Sequence, residues 1–408
     1  MDAIVMKSLE SLEQAGKLNT SLIIWGVKEQ EKEIVEWLCS HGYGRNLAMV
    51  VDNFKAVYYK EFQGILVKEP KALLTLDTEN VCVLFAVDHS DAIRRQLNAY
   101  GIDNVYNLRN LSEEAGTEKF YRYDLPYSFT NRSKNRNYLC YILAGYESKL
   151  WNTTLARIEA FQNKEVDYCL VSSGKYDAVL EQIAERNGWS YLYSEQNQVC
   201  YIQNLVIELH PTAEYIIKMD EDIFIGKDFF HQMIQEFHHI EECGEYRIGF
   251  AVPVIPLNCC GCISYLNVIG KKEEYEKRFG RIYRSRFNNI YQEEQAEFLW
   301  DTIENFDDIA DRFLENKESR ILNAYYNIGC IMFTRDRWCM MGKWPERPGE
   351  NGMGRDERFI YEDNQEKDLA IYEIGSVLAG HLAFGPQKKH MLKYYEDHFE
   401  KFAISHSI

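Results

Sequence analysis

The sequence predicts an α/β protein made of two parallel-sheet units in series. Short apolar runs alternate with segments of helical period, and the alternation stops near residues 112–137 and then restarts. A chain of 408 residues with 46% hydrophobic content also holds enough apolar side chain for two cores. In residues 1–111, strands are expected at Ser21–Trp25, Ala48–Val51, Gly64–Val67, Val81–Val87 and Val105–Leu108. Helices are expected at Gln30–His41 and Ser90–Tyr100. Residues 112–137, polar and aromatic with Pro126, show no period and read as a linker.

From Tyr138 the alternation resumes, and residues 138–408 make the second unit. Strands are expected at Tyr138–Leu143, Tyr168–Val171 and Ser190–Tyr193, and helices at Leu150–Gln162, Tyr176–Asn187 and Tyr201–Leu209. The stretch 271–313, rich in Tyr, Arg and Glu, breaks the pattern and reads as a helical insertion, with the basic run Arg278–Arg286 as a solvated face.

The first unit resembles a small Rossmann-like domain. Its first turn, Gly26-Val27-Lys28-Glu29-Gln30-Glu31, keeps one glycine of the dinucleotide fingerprint, and two glutamates there would repel a pyrophosphate. A degenerate nucleotide site is therefore expected, with a docking role or homo-oligomer formation in its place.

The formal charge of −17 argues against nucleic acid or an anionic membrane surface as the main partner. No apolar run approaches the ~20 residues of a membrane span, and Met1–Thr20 lacks an apolar signal core. The expectation is a cytoplasmic protein without an integral membrane segment, compatible with peripheral attachment to the inner face of a membrane. Eleven cysteines, an odd number, read as reduced core thiols. Cys259-Cys260-Gly261-Cys262 has no second pair at a zinc-site spacing.

The densest chemical signal is Ala213–Gly226, where the apolar run Tyr215–Met219 meets Asp220, Glu221 and Asp222 and resumes as Ile223-Phe224-Ile225. Three adjacent carboxylates in an apolar run repel one another and resist burial, so something must offset the cost. Strand alternation turns Asp220 and Asp222 one way and Glu221 the other. Two converging carboxylates make a hard-oxygen site for Mg²⁺ or Mn²⁺. The other reading is an acidic turn, or an ion pair with Lys218 or Lys227. Ligands of open parallel sheets bind at the carboxyl ends of strands. Ala144-Gly145, Ser172-Ser173-Gly174 and the acidic triplet are three such ends.

This order of elements, with Gln203-Asn204 on the helix before the acidic strand, resembles a GT-A glycosyltransferase of family 2 style over about residues 138–390. The resemblance implies a GT-A α/β domain in which Asp220 and Asp222 hold a divalent metal against the diphosphate of a nucleotide sugar, most simply a UDP-sugar. Ala144, Gly145, Ser172, Ser173, Asn204 and Asp220 would then border the nucleotide sugar. The family has an acid at the end of its second strand, where this chain has Ser172-Ser173-Gly174. The metal would offset charge growing on the leaving diphosphate, and the sugar carbon becomes oxocarbenium-like.

An inverting transfer needs a carboxylate to take the acceptor proton. Asp356-Glu357 and Glu362-Asp363 are the candidates. Glu357 lies 24 residues before His381, the spacing at which the family's base precedes its closing histidine, whereas Asp363 lies only 18 before it. Glu357 is the expected base, with Asp356 as the alternative, both delivered by the loop Gly349–Gly354 to a helix N-terminus that favours anions. His381, between Gly380 and Gly385, is the expected third metal ligand or else a core histidine. Asn327 and Gly329 are expected to border the donor sugar or acceptor or, equally, to belong to a core strand bulged at Gly329. Trp344 is a candidate stacking surface, although Trp in a Met-rich stretch is more often core. Together these imply inverting sugar transfer to a glycan or lipid-linked acceptor, of the kind used in bacterial surface glycan synthesis. The alternative is a non-catalytic nucleotide-sugar-binding or scaffold protein built on a decayed transferase domain.

Overall fold

The computed structural model describes residues 2–87, 91–111, 125–258, 260–285, 292–324, 326–346, 354–383 and 385–405. The protein is mixed α/β and divides into two compact units, Met1–Arg122 with Trp338–Lys343, and Tyr123–Arg337 with Trp344–Ile408.

In the first unit, six strands are described: β1 (Ser21–Trp25), β2 (Leu47–Val51), β3 (Glu61–Phe62), β4 (Ile65–Lys68), β5 (Val81–Phe85) and β6 (Val105–Asn107). They lie in the order β3-β4-β2-β1-β5-β6, parallel apart from the short β3–β4 pair. The central strands are apolar on both faces, since Leu22, Ile23 and Ile24 and all of β5 are buried, as a sheet covered by helices requires. Helix Glu29–Ser40 contributes Ile34, Val35 and Leu38 to this core. The sequence reading missed helix Ala3–Gln14, which Asp2 caps through Ile4 N at 2.9 Å and which buries Val5, Leu9 and Leu12 at helical spacing.

In the second unit the described strands are β7 (Tyr127–Thr130), β8 (Tyr138–Leu143), β9 (Val166–Ser172), β10 (Ser190–Ser194), β11 (Tyr215–Asp220), β12 (Ile223–Ile225), β13 (Ile248–Val254), β14 (Arg320–Leu322), β15 (Cys330–Thr334) and β16 (Ala370–His381). Their order is β12-β16-β13-β15-β11-β8-β9-β10-β7, with β14 on β16. The stretch β11-β8-β9-β10 is parallel, and β15 pairs antiparallel with β11. The carboxyl ends of β8, β9 and β11 therefore lie side by side.

Two features depart from the sequence reading. Tyr127–Thr130, inside the stretch read as linker, pairs antiparallel with β10, and most of the rest of that stretch lies outside the described residues. The long β16 is buried along its length yet carries Glu373, Gly375, Ser376 and Gly380, which mask its strand character. Glu373 is fully buried because Ser264, Arg284 and Arg320 surround it. The expected insertion contains helices Lys272–Phe279, Glu293–Asp301 and Phe306–Leu314, and residues 286–291 within it lie outside the described residues.

Among the described cysteines only Cys39 and Cys243 are exposed. Among the described residues no helix is long and apolar enough to cross a membrane.

Candidate active site

The acidic strand closes on the site through backbone pairing. Asp220 N donates to Gly329 O at 2.8 Å, and Glu221 N donates to Leu143 O at 3.0 Å, so the triplet is pinned between β15 and β8. Just beyond it, β12 pairs with β16 so that Ile223 stands opposite His381. That register brings residues 159 apart in sequence into contact: His381 Nε2 lies 3.1 Å from Asp222 Oδ2.

The three acids have three different environments. Asp222 is drawn below its ordinary value: burial would raise it, but the His381 charge and hydrogen bond outweigh that. His381 is raised in turn, because the Asp222 and Asp220 charges overcome burial. Asp220 is pushed up to about 6 by desolvation, against the pull of Lys218. Its side chain is still 36% exposed, which leaves a solvent-facing edge. Glu221 turns to the opposite face, where it accepts from Gly145 N at 2.9 Å, Tyr146 N at 2.8 Å and Trp151 Nε1 at 2.5 Å.

Lys218 was legible only as a candidate ion-pair partner. Alternation puts it on the face of Asp220, and its buried ammonium donates to Asp220 Oδ1 at 2.6 Å and to Ile328 O at 2.7 Å. Burial lowers its pKa, but Asp220 and Asp356, with a further contribution from Glu357, hold it above the ordinary lysine value. A fixed cation thus faces carboxylates from two elements.

The second element is helix Arg355–Glu366, whose first turn carries Asp356 and Glu357. The loop expected to deliver them, residues 349–354, lies outside the described residues except for Gly354. Asp356 is 5% exposed, and both its oxygens are engaged. Oδ2 accepts from Gln203 Nε2 at 2.9 Å and Oδ1 from Glu357 N at 2.9 Å. Gln203 accepts in turn from Tyr141 OH at 2.9 Å, a buried chain that the sequence did not reveal. Glu357 is half-buried.

Other expected site residues divide into two groups. Asn327 and Gly329 stand at the acids: Gly329 N donates to Asn327 Oδ1 at 2.8 Å, and a Cβ on Gly329 would sit 3.5 Å from Asp220 Oδ2. Ala144, Gly145, Ser172 and Ser173 stand at the ends of β8 and β9, with their polar groups committed to the chain. Ser172 Oγ donates to Ala144 O at 2.9 Å, and Ser173 Oγ accepts from Gln198 N at 2.8 Å. Asn204 departs from the nucleotide-facing role expected of it, and Trp344 follows the core alternative. The Asn204 amide grips the Trp344 backbone, accepting from N at 2.8 Å and donating to O at 2.9 Å. The Trp344 ring is 1% exposed and packs edge-on against Phe333, so it offers no face to a sugar.

Among the described residues no three or more His, Cys, Asp or Glu side chains gather as a metal site. The donor set still suits a divalent ion in kind. Asp222 offers a carboxylate oxygen and His381 an imidazole nitrogen, now engaged with each other at 3.1 Å, so a bound ion would take the place of the proton between them. The Asp220 oxygen not held by Lys218 faces the Gly329 side.

The corresponding turn of the first unit differs. Glu31, 2% exposed, folds back to accept from Lys28 N at 3.1 Å, and its carboxyl carbon would be 3.1 Å from a Cβ on Gly26. A carboxylate thus occupies the turn in which a Rossmann domain receives phosphate.

No protein-family model and no curated protein sequence matches this chain. Among solved structures it is similar to GalNAc-T7 with UDP, GalNAc and Mn²⁺, with 11% identity, 65% of this chain covered and a TM-score of 0.36. The match spans about half of that chain, 48%. Values this low leave residue roles to the geometry above.

Proposed function

We propose that the second unit is a GT-A-type glycosyltransferase that moves a sugar from a nucleotide sugar, in the simplest case a UDP-sugar, to an acceptor hydroxyl with inversion. The observation that carries this reading is the His381–Asp222 contact just beyond the carboxyl end of β11, where Asp220 also stands, with Asp220, Asp356 and Glu357 sharing the charge of Lys218. Asp222, His381 and the outward oxygen of Asp220 would hold Mn²⁺ or Mg²⁺. Such an ion offsets the charge that develops on the departing diphosphate.

The chain's own residues supply the rest. Lys218 restrains Asp220 and offsets part of the negative charge of the acid cluster. Asp356, held by Gln203 and by Glu357 N, orients the first helical turn. Glu357, less enclosed, takes the acceptor proton. A glycan or lipid-linked acceptor, a cytoplasmic location at a membrane's inner face, and oligomer contacts through the first unit complete the proposal.

The Lys218–Asp220 ion pair also favours a second reading, in which the acids are permanently paired and the chain is a non-catalytic nucleotide-sugar-binding scaffold. A panel of nucleotide sugars with Mn²⁺ separates the two. Transfer or donor hydrolysis that falls roughly 10²-fold or more in Asp222→Asn is expected for an enzyme. Turnover absent with every donor would favour the scaffold, and turnover indifferent to metal would remove the ion from the mechanism. Full transfer activity in Glu357→Gln would remove that residue as base, and a product with the donor's anomeric configuration would remove inversion.

A further inference from the structure

The middle acid of the triplet makes contacts that the other two cannot. Glu221 is 6% exposed, and a carboxylate buried this far must be met by donors. Three N–H groups meet it: those of consecutive residues Gly145 and Tyr146, and the indole of Trp151. All three belong to the segment that leaves β8, while Glu221 belongs to the turn between β11 and β12. Burial raises its pKa, and the same three donors oppose the rise.

That segment carries one outward-facing aromatic. Tyr146 is 58% exposed although both of its ends are tied, its backbone N to Glu221 and its hydroxyl to Ser173 O at 2.6 Å. Lys175 sits over the ring, 5.0 Å from its centroid, close enough for a cation–π contact. Gly145 lets this arrangement close up: its φ is +146°, and a Cβ there would come within 2.9 Å of Lys175 Cε. An exposed ring held rigidly from both ends loses little entropy when a planar group stacks on it.

We propose that Glu221 is a positioning residue for the donor. By holding the 145–151 segment against the acidic strand, it fixes the Tyr146 ring as the face on which the nucleotide's base stacks. The inference rests on the transfer reading above. It also gives the members of the triplet different roles. Asp220 and Asp222 act at the diphosphate end, and Glu221 acts at the base end without touching substrate. Glutamine is nearly isosteric but has one acceptor oxygen, and its NH₂ would face a donor where the second oxygen now accepts.

The test uses the full-length protein with the donor and metal that support turnover in the panel above. Glu221→Gln is expected to raise donor KM about tenfold while kcat stays within about threefold. UDP affinity measured calorimetrically without acceptor should fall by the same factor, since tenfold corresponds to about 1.4 kcal/mol. Exchange of the Trp151 indole proton and of the Gly145 and Tyr146 amides, followed by NMR, should become faster. Tyr146→Leu should reproduce the KM effect and leave the Trp151 exchange unchanged. Should Glu221→Gln fold poorly, Trp151→Phe removes one donor, keeps an aromatic in the core, and should raise KM in the same direction by a smaller factor.

Faster exchange with unchanged donor KM overturns the positioning role and leaves Glu221 as a structural link alone. A loss confined to kcat overturns it as well. If the wild type binds no nucleotide and turns over no donor, the transfer reading falls and takes this one with it. Normal wild-type turnover beside an unaffected Glu221→Gln defeats this proposal only.

Discussion

The two units open with the same backbone device and close it differently. In each, a central parallel strand, β1 in the first unit and β8 in the second, leads into a glycine of positive φ, Gly26 at +113° and Gly145 at +146°. In each, a glutamate carboxylate then takes backbone N–H groups of the turn. In the first unit the glutamate is local, Glu31 on the helix that the turn begins, and its carboxyl fills the turn from within. In the second it is remote: Glu221 arrives from 76 residues away and grips the turn from the sheet side. A local carboxylate closes a turn, whereas a remote one ties two elements together and leaves the outer face of the turn accessible.

The largest effect that would sharpen this contrast is on stability. Glu221→Ala strands two buried donors and a third that is part-buried, and is expected to cost roughly 3 kcal/mol. Glu31→Ala loses one helix-start bond and should cost about 1 kcal/mol. Urea unfolding followed separately for each unit measures both, and equal costs would break the comparison.

A smaller contrast concerns acid. The second unit buries His210, which is 2% exposed and donates through Nδ1 to Val206 O at 2.7 Å. Burial depresses its pKa, so below the ordinary histidine value near 6.5 the unfolded chain binds a proton that the folded chain resists. The contribution of His210 to stability should therefore decline as pH falls from about 6.5 through the depressed value, and His210→Gln should remove this acid-sensitive part. The raised values of His381 and Asp220 act in the opposite sense. In the first unit the described histidine, His41, is exposed and stacks on Trp37. Thermal midpoints of the second unit in the wild type and in His210→Gln between pH 7.5 and 5.5 check this, and identical pH profiles would overturn the expectation.

The smallest effect concerns metal removal. Lys218 and His381 already balance Asp220 and Asp222, so chelation should move the melting temperature of the second unit by about 2 °C or less, equivalent to about 1 kcal/mol or less. A larger drop would mean that the acids depend on an ion for folding.

How much of this was legible follows from distance along the chain. Strands β1, β8 and β11 announce themselves as apolar runs, because a strand covered on both faces must be apolar. The alternation that turns Lys218, Asp220 and Asp222 one way and Glu221 the other can also be read directly, since it is local geometry. β16 was hidden because its buried polar and small residues are made tolerable by partners such as Arg284 and Arg320, which sequence does not align with Glu373. The Trp151–Glu221 bond, the Tyr141–Gln203–Asp356 chain and the grip of Asn204 on Trp344 were unreadable for the same reason, since each joins segments 62 to 153 residues apart. Trp344 shows the limit from the other side. An aromatic near a site reads alike as stacking surface or core until its neighbours are known, and here Phe333 covers it.

The two exposed cysteines make these contrasts measurable without changing the described core. Cys39 stands at the end of a helix in the first unit and Cys243 at the end of one in the second, while the other described cysteines are buried. A maleimide reporter should therefore attach to one described site per unit under native conditions, with the Cys39→Ser and Cys243→Ser variants assigning each signal. The wild-type chain thus comes with a spectroscopic handle in each half, through which the response of one half to nucleotide, acid or urea can be followed against the other.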